Sequence, residues 1–578
     1  RVLFRSTATI SGFWDESDVL RPQLAGKVAQ NPLNGLVPGF AAVPLAPHDA
    51  EKADWSPCTN SYGGTAENPN TRTWETCKPT ANDSEFFSAQ LRIDYDLTDN
   101  LVLTSLTSYS DYDRNASGVD QDGTSFQIYE TLQEGFMEST FQEFRLSGSY
   151  SKGTWVVGVN YEDTETYDQF LQSYGHSSVV PVFGFIDFGP GLPNNGQEAT
   201  TYAVFGNVEY AATDDVILHA GIRYTDQERD FEGCTNDGGD ETWSLTSYLI
   251  QPFLGSENPL LPAAGACGTT GYAPDYNPPV NGGHKGELDE DNTSWRVGAT
   301  WEVNDAAMLY GNVSKGYKNG QFPTLPGSAV IQLVPVVQEE LLAYEIGVKS
   351  MLLDNTLQLN AAVFYYDYTD KQVRGALEDS IFGSLPALVN VPESHVTGFE
   401  IAAIWLPADG LKIRPSVSVA DSEVDGTFRN FDAFFKPGVN AGTKDFSGQS
   451  FPHAPELQAN LDISYSWDVG SGWTGFVGGN ANYQDSTNSF FVDECKEAGV
   501  PCTKTDAEII VGDPDLPIPS RTLVDLRAGV ESEHWRLYLW GRNMTDEYYW
   551  TRASKVNDSI VRLAGMPRTY GITVSYVN

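Results

Sequence analysis

The chain has 578 residues and contains 35 Lys and Arg against 78 Asp and Glu, so its formal net charge at pH 7 is −43. This balance argues against nucleic acid as a partner, because nucleic-acid-binding proteins need a positive surface. Aromatic residues make up 12% of the chain, which is too large a share for a disordered acidic protein. The composition indicates a folded anionic protein and leaves open one large domain or several small ones.

The sequence has no apolar stretch of the ~20 residues that a membrane-spanning helix needs. Its longest apolar stretches, such as residues 179–188, are interrupted, here by Pro181 and Gly184. The chain starts at Arg1 rather than Met, and residues 7–14 already resemble the interior of a strand. We therefore expect a mature protein or a fragment whose true start lies upstream.

Six cysteines occur as three neighbouring pairs, each in a polar segment rich in Gly, Pro or Asn. This spacing predicts disulfides formed in an oxidising compartment, with six unrelated thiols as the alternative. No CxxC motif or nearby His supports a zinc site, so no metal site is expected from them. The predicted disulfides are Cys58–Cys77, Cys234–Cys267 and Cys495–Cys502.

The dominant pattern along the chain is alternation of apolar and polar residues with a period of two. In residues 459–467, one face carries Leu461 and Ile463 and the other carries Asp462 and Ser464. This alternation is typical of strands with one apolar and one polar face. The same pattern recurs in residues 202–210, 216–224, 357–365, 524–530 and 570–576.

Short and long connections alternate between these strands. Turns rich in Asp, Asn or Gly predict eight hairpins, at residues 98–100, 151–153, 213–215, 304–305, 354–355, 408–410, 469–471 and 532–533. With a first strand near 7–14 and a last near 568–577, they give about 18 strands. Long polar segments separate the hairpins, at about 15–83, 115–135, 165–197, 230–291, 318–337, 371–392, 424–454, 486–520 and 543–567.

Short turns at one end and long loops at the other predict an all-β, transmembrane antiparallel barrel with short periplasmic turns and long extracellular loops. A closed sheet leaves no unpaired backbone in lipid, so the apolar face would meet acyl chains and the polar face would line the lumen. A soluble multi-domain β-sandwich is the alternative. Aromatic residues near strand ends would form the interfacial girdles, among them Trp14, Tyr109, Trp155, Trp405, Trp467, Trp540 and Trp550.

Several segments then resemble TonB-dependent outer-membrane receptors. The resemblance covers about residue 86 to the end, in the family's order. The segments are 97–114 (LTDNLVLTSLTSYSDYDR), 141–148 (FQEFRLSG), 309–323 (LYGNVSKGYKNGQFP), 339–370 (EELLAYEIGVKSMLLDNTLQLNAAVFYYDYTD), 396–406 (VTGFEIAAIWL), 541–550 (GRNMTDEYYW) and 566–576 (MPRTYGITVSY).

The resemblance implies a 22-stranded barrel preceded by a plug domain and a short box that contacts TonB. We find neither in the sequence, so we expect residues 1–578 to be an N-terminally incomplete barrel that holds the last 18 strands. Members of the family usually end in an aromatic residue, whereas this chain ends in Asn578. The implied location is the outer membrane of a Gram-negative bacterium. The implied partners are outer-membrane lipid and lipopolysaccharide, a small-molecule ligand and the TonB-ExbB-ExbD complex.

No catalytic motif such as GxSxG, GxxxxGK(S/T) or HExxH occurs, so we do not expect an enzyme. The family strand enters a loop where aromatic and amide side chains suit ligand recognition, at Tyr317, Lys318, Asn319, Gln321 and Phe322. The predicted lumen-lining residues are Glu209, Arg223, Glu400, Asp462, Asp525, Arg527, Arg536 and Arg542. Their alternative role is to keep a water-facing wall polar.

The acids are expected to concentrate in the extracellular loops, since residues 230–291 hold eleven Asp and Glu and one Lys. Such a rim would repel small anions. Paired acids at Asp120/Asp122 and at residues 289–291 could bind Ca²⁺ through their carboxylate oxygens, although a solvated loop is the simpler interpretation. No other cofactor is expected.

The favoured hypothesis is active, high-affinity uptake of a scarce solute. A ferric siderophore or other iron complex is the preferred solute, and an oligosaccharide or a cofactor is the next choice. The alternatives are a passive 18-stranded diffusion porin and a soluble secreted β-rich binding protein.

Overall fold

The computed structural model shows a protein built almost entirely of strands. It describes the whole chain apart from residues 1–3, 19–23, 29–57, 66–67, 80, 121–129, 174–190, 238–241, 251–266, 272–282, 325–326, 380–382, 432–442, 492–516, 557–558 and 578. Within the described part of the chain, no helix has the length and apolar character needed to span a membrane.

One antiparallel sheet of 18 strands dominates the structure. Each strand pairs with the next in the following order, as a continuous meander. The strands are β1 (Phe4–Asp18), β5 (Ala81–Thr98), β6 (Leu101–Asp120), β7 (Glu130–Tyr150), β8 (Gly153–Ser173), β9 (Gly191–Ala211), β10 (Val216–Asp237), β11 (His284–Asn304), β12 (Ala307–Lys318), β13 (Glu339–Leu352), β14 (Leu357–Asp379), β15 (Gly383–Ala408), β16 (Leu411–Asp425), β19 (Leu457–Gly470), β20 (Trp473–Gln484), β21 (Arg521–Glu531), β22 (Trp535–Arg542) and β25 (Thr569–Tyr576).

Smaller elements lie in the long connections. A nine-residue helix, α1 (Thr242–Ile250), follows β10, and a 3-10 turn (Val330–Leu333) lies between β12 and β13. The sequence pattern had not predicted the helix. The remaining strands form three small sheets: β2 (Leu24–Val28), β3 (Cys58–Thr65), β4 (Asn68–Pro79), β17 (Arg429–Phe431), β18 (Thr443–Asp445), β23 (Trp550–Val556) and β24 (Ser559–Ala564).

The eight predicted hairpin turns are confirmed. The structure places a connection of two to four residues at each position, from residues 99–100 to residues 532–534. One of them shows why glycine is needed: Gly410 has φ +77°, and a Cβ there would lie 2.0 Å from the backbone oxygen of Ser466. Only glycine adopts this left-handed conformation without strain.

Several segments predicted as loops are instead continuations of the strands. Residues 371–392 were expected to form a loop, but β14 and β15 stay paired up to Asp379 and Gly383. Residues 230–291 were also expected to form a loop, but β10 continues to Asp237 and β11 already begins at His284. Away from the apolar band both sheet faces meet water, so the apolar–polar alternation fades although the backbone pairing persists.

The two faces of the sheet differ sharply in chemistry. One face presents large apolar side chains to the outside, with Leu539 62%, Ile346 65% and Ile572 65% exposed. Soluble monomers rarely expose contiguous apolar patches larger than a few hundred Å², so this face, the outer face, is suited to lipid. The opposite, inner face carries the polar side chains that alternate with it.

Most of the aromatic residues expected at the outer face lie there, including Tyr109, Trp405 and Trp467, which are 37%, 39% and 44% exposed. Two predictions are wrong. Trp540 alternates with outer-face leucines and donates its indole N–H to Thr573 (3.1 Å). Trp550 is 7% exposed and packs in a small cluster beyond the barrel strands, since the family loop folds back on itself there.

Candidate functional site: the inner face of the barrel wall

All eight predicted lumen-lining residues lie on the inner face. Asp462 alternates with exposed Leu461 and Ile463, and Arg223 alternates with exposed Ile222 and Tyr224. The same parity places the other predicted residues opposite exposed apolar side chains of β9, β15, β21 and β22. They are Glu209, Glu400, Asp525, Arg527, Arg536 and Arg542.

Asp462 is a nearly buried charge of this face, with a side chain only 10% exposed. Its carboxylate accepts hydrogen bonds from Arg414 (2.7 and 3.2 Å) on β16 and from Arg527 (2.8 and 3.1 Å) on β21. Arg527 reaches it across β20, where Gly478 faces the guanidinium, and a Cβ at this glycine would lie 3.0 Å from the Arg527 Cζ. The missing side chain therefore lets one carboxylate join three strands.

Arg223 and Arg296 present positive charge to the lumen, and neither pairs with a carboxylate in the part of the chain that the structure describes. Arg223 donates to Thr225 (3.0 Å) and to the amide oxygen of Asn160 (3.2 Å). Arg296 donates to the amide oxygen of Asn207 (3.3 Å). These partners are neutral, so the two guanidinium groups keep their charge available to an anion that enters the lumen.

The other predicted lumen residues have local partners. Glu400 accepts from Ser418 (3.1 Å), and Asp525 accepts the backbone N–H of Asn543 (2.9 Å). The carboxylate of Glu209 lies 3.6 Å from His219. The two remaining guanidinium groups lie over aromatic rings. Arg536 lies over Phe476 and Tyr538 and also pairs with Glu531 (3.5 Å). Arg542 lies over Trp540. These contacts hold the side chains in place.

A second group on the inner face was not predicted from the sequence. The hydroxyl of Tyr310 on β12 donates to the carboxylate of Glu345 on β13 (2.7 Å), and the ammonium of Lys349 lies 5.7 Å from the centre of the Tyr310 ring. The alternation in β12 and β13 could have revealed these residues, because each of them has an outer-face neighbour.

The predicted ligand-binding residues separate into exposed and buried members. Lys318 is exposed, and Tyr317 lies beneath the ammonium of Lys315 at 5.4 Å from the ring centre. Phe322 is only 2% exposed and stacks on Phe231 with the ring centres 4.6 Å apart. Phe322 therefore anchors its loop, because an apolar ring gains more by burial between strands than by exposure.

Asn319 and Gln321 take part in a hydrogen-bond network centred on Gln372. The Gln372 amide N–H₂ donates to the backbone oxygens of Asn319 (2.9 Å) and Val337 (3.0 Å), and its oxygen accepts from Gln321 (3.3 Å). The backbone N–H of Gln372 donates to Glu339 (2.8 Å). These bonds fix residues 319–338 against β14 and use most of the polar atoms predicted to meet a ligand.

Glu290 braces the same segment from β11. Its two carboxylate oxygens accept the backbone N–H groups of Gly320 (2.6 Å) and Gln338 (2.9 Å). On the other side, Lys371 lies 3.5 Å from Glu339; burial lowers the pKa of this lysine and the carboxylate opposes that shift. The segment 319–338 is therefore held by charge-assisted bonds on both sides.

Of the seven acids of residues 230–291 that the structure describes, five point away from the lumen, in contrast to the predicted anion-repelling rim. Side chains alternate along β10 and β11, so Asp230, Glu232, Glu287, Asp289 and Asp291 point to the outer face, in line with the exposed apolar residues below them. Of the acids in this segment, Asp237 accepts the backbone N–H of Ser244 at the start of α1 (3.0 Å). Glu290 alternates with the outward acids of β11, and the remaining four, Asp240, Glu241, Glu257 and Asp275, lie outside the described residues.

The suggested Ca²⁺ sites stay predictions. Residues 289–291 lie in β11, where successive side chains point to opposite faces, and Glu290 already binds two backbone groups. Asp120 ends β6, and Asp122 lies outside the described residues. In the described ranges, no three His, Cys, Asp or Glu side chains converge on one point.

One of the three predicted disulfides is present. Cys234 and Cys267 are bonded, with 5.6 Å between their Cα atoms. Cys234 belongs to β10 rather than to a loop. Thr269 and Thr270 follow the bond; Thr269 accepts from the backbone of Thr235 (2.8 Å), and Thr270 pairs with Ala329. The bond thus ties β10 to the segment that follows β12.

The other two disulfides stay predictions. Cys58 and Cys77 lie on the paired strands β3 and β4. Cys495 and Cys502 lie outside the described residues.

The sheet, its apolar outer face and its charged inner face define a β-barrel protein of the outer membrane. The sequence model described as "TonB dependent receptor-like, beta-barrel" matches residues 35–544. The chain therefore belongs to the TonB-dependent receptor family, and it is a transport receptor rather than an enzyme.

Solved structures share this fold at low sequence identity. They include the ferric yersiniabactin uptake receptor FyuA of Yersinia pestis (TM-score 0.61, 16% identity, covering 100% of this chain and 80% of that one). The siderophore receptor PiuA of Acinetobacter baumannii matches with a TM-score of 0.56 and 18% identity, covering 86% of this chain and 65% of that one. The ferric-catecholate import receptor Fiu of E. coli K12 matches with a TM-score of 0.55 and 15% identity, covering 90% of this chain and 69% of that one. The chain thus spans 65–80% of the length of these receptors.

Proposed function

We propose that this chain forms the membrane barrel of a receptor for active, high-affinity uptake of a scarce anionic solute. A ferric siderophore or other iron complex is the preferred solute, and an oligosaccharide or a cofactor is the next choice. Membership of the TonB-dependent receptor family supports energised uptake over passive diffusion through a porin and over a soluble binding protein. The fold of the siderophore receptors above supports an iron complex.

The pair Arg223 and Arg296 is the observation that supports an anionic solute. Both guanidinium groups face the lumen, and within the described residues their hydrogen bonds go only to neutral oxygens. A guanidinium binds carboxylate, catecholate or phosphate oxygens through two N–H groups at once. Five acids of β10 and β11, namely Asp230, Glu232, Glu287, Asp289 and Asp291, point to the outer face and so do not oppose the approach of an anion along this wall.

Energy for uptake comes from the TonB-ExbB-ExbD complex in this proposal. The solute binds on the extracellular side and then passes along the inner face, where Arg223 and Arg296 offer successive contacts. The inner-face groups that are already paired, such as Asp462, keep the wall rigid while the solute moves.

The test is uptake of radiolabelled iron complexes by cells that produce the full-length receptor, with and without a protonophore. The proposal expects uptake that depends on the receptor gene and stops when the proton gradient collapses. Uptake that is unchanged by the protonophore would reject the energised mechanism and favour passive diffusion.

A further inference from the structure

The segment 319–338, which connects β12 to β13, lies against the inside of the wall at its extracellular end. Phe322 of this segment stacks on Phe231 of β10, and Glu290 of β11 accepts two of its backbone N–H groups. Phe231 and Glu290 both belong to the inner face, because the residues on either side of each carry outward-pointing acids. The segment therefore lies in the mouth of the lumen.

One side of this segment is buried and the other is open. Leu333 and Val336 are 5% and 4% exposed, and Leu333 packs with the two stacked phenylalanines. Three aliphatic side chains point away from these buried residues and are 36%, 58% and 50% exposed, namely Ile331, Val334 and Val337. We call these three side chains the aliphatic strip. Since the buried side of the segment faces the wall, the strip faces the path of the solute.

Hydrogen bonds fix the backbone of the aliphatic strip. Asn390 accepts the backbone N–H of Val337 (3.1 Å) and donates to its backbone oxygen (3.1 Å). The side-chain amide of Gln332 donates to the backbone oxygen of Pro386 on β15 (2.9 Å) and accepts the backbone N–H of Ser328 (2.9 Å). Exposed aliphatic side chains gain nothing from the hydrophobic effect until another apolar group covers them. The strip is thus a preformed apolar surface.

An ammonium group lies beside the strip. Lys318 is eight residues from Tyr310 on β12 and shares its parity, so the side chain of Lys318 points to the inner face. The Gln372 amide donates to the backbone oxygens of both Asn319 (2.9 Å) and Val337 (3.0 Å). This shared donor brings Lys318 next to the aliphatic strip.

The carboxylates near Lys318 already have other partners. Glu339 lies 3.5 Å from Lys371, and Glu340 lies 2.8 Å from Lys315. Within the described residues, no hydrogen bond or ion pair engages the ammonium of Lys318. Its charge is therefore available to an anion in the mouth of the lumen.

We propose that the mouth of the lumen binds an amphiphilic anionic iron complex, with an aliphatic chain on the aliphatic strip and the anionic part at Lys318. An apolar surface beside an unpaired ammonium is complementary to a molecule that joins an aliphatic chain to an anion. Arg296 lies six residues below Glu290 on the same face of β11, about 20 Å along the strand. The same anion then meets a second positive group further along its path.

This inference rests on the proposed function and narrows its solute to iron complexes that carry an aliphatic chain. Energised uptake of an iron complex does not depend on it, because a solute without such a chain could still follow the arginines of the inner face.

The experiment measures equilibrium binding of matched pairs of anionic ferric complexes to the full-length receptor in lipid nanodiscs, with empty nanodiscs as the background. One pair has catecholate and the other hydroxycarboxylate chelating groups. In each pair one complex carries an octanoyl chain and the other an acetyl group in its place.

Three variants complete the design. The strip variant carries Ile331→Thr, Val334→Thr and Val337→Thr, which keep the branched shape of each side chain. The matched control makes the same kind of change at exposed valines near the periplasmic turns, through Val303→Thr, Val469→Thr and Val577→Thr. Lys318→Gln removes the charge beside the strip.

The wild type and the control should bind the octanoyl complex of at least one pair about tenfold more tightly than its acetyl partner. The strip variant should lose this preference and keep its affinity for the acetyl complex. Lys318→Gln should weaken both members of the pair by the same factor, because they share one anionic centre.

Equal binding of octanoyl and acetyl complexes by the wild type would overturn this inference and leave the proposed function intact. A strip variant that behaves like the control, or that loses both members of a pair equally, would also overturn it, as would a Lys318→Gln variant with wild-type affinities. A wild-type receptor that binds none of the four complexes would contradict the proposed function together with this inference.

Discussion

Replacing Asp462 with asparagine should lower the free energy of unfolding by about 2–4 kcal/mol, an estimate built from its two arginine contacts. The side chain of Arg527 is 27% exposed and that of Arg414 is 47% exposed. A hydrogen-bonded charge pair that is largely shielded from water contributes about 1.5–3 kcal/mol. A pair exposed like a surface ion pair contributes about 0.2–1 kcal/mol. The Arg527 contact should therefore dominate.

The assay is urea unfolding of the barrel in lipid vesicles, followed by tryptophan fluorescence and analysed as double-mutant cycles. The Asp462→Asn/Arg527→Gln cycle should give a coupling energy of about 1.5–3 kcal/mol. The Asp462→Asn/Arg414→Gln cycle should give about 0.2–1 kcal/mol. Equal coupling energies in the two cycles would refute the reasoning from exposure, and two values near zero would refute the three-strand contact itself.

Gly478 offers an independent perturbation of the same contact. A Cβ at this position would lie 3.0 Å from both the Arg527 Cζ and the backbone oxygen of Ile463, so Gly478→Ala should displace the guanidinium from Asp462. In that background Arg527→Gln should have little further effect on stability. The control is Gly316→Ala, because a Cβ there has no atom within 4 Å.

Two further predictions concern the extracellular side. Glu290→Gln should weaken the two backbone contacts of residues 319–338 by about 1–3 kcal/mol in total and speed proteolysis of that segment. The control Glu302→Gln, at the periplasmic end of β11, should leave the proteolysis rate unchanged. Equal cleavage rates in the two variants would contradict the role of Glu290. Non-reducing peptide mapping should recover Cys234 and Cys267 in one linked fragment. Their reduction should loosen a loop whose closure contributes about 3–4 kcal/mol in the chain-entropy model, seen as faster amide exchange in residues 267–271.

The barrel and the two faces of its wall could be predicted from the sequence, because both follow from local rules. The turn at residues 409–410 needs a glycine, and the alternation around Asp462 assigns each side chain to a face. The eight residues predicted to line the lumen could therefore be assigned to the face opposite the exposed apolar side chains without any knowledge of which strands are neighbours.

The partners of those residues could not be predicted in the same way. The contact between Asp462 and Arg527 depends on the register of three strands and on the absence of a side chain at Gly478. Phe322 looked like a ligand contact because its loop follows a family motif, but its burial against Phe231 depends on how far β10 continues.

The acids of β10 and β11 were misassigned for a related reason. Their backbone pairing continues beyond the apolar band, where polar residues occupy both faces and the pattern no longer distinguishes a strand from a loop. Once the registers are known, Asp230 and Glu287 fall on the outer face as neighbours. The charge of these two residues then lies on the membrane side of the wall rather than along the solute path.

The most direct test of the proposed solute class is equilibrium binding of two ferric complexes of similar size, one anionic and one neutral, to the full-length receptor. The wild-type receptor should bind the anionic complex more tightly, and the Arg223→Gln/Arg296→Gln variant should lose about tenfold in affinity for it while its affinity for the neutral complex stays the same. Equal binding of the two complexes by the wild type, or an equal loss for both in the variant, would contradict the account.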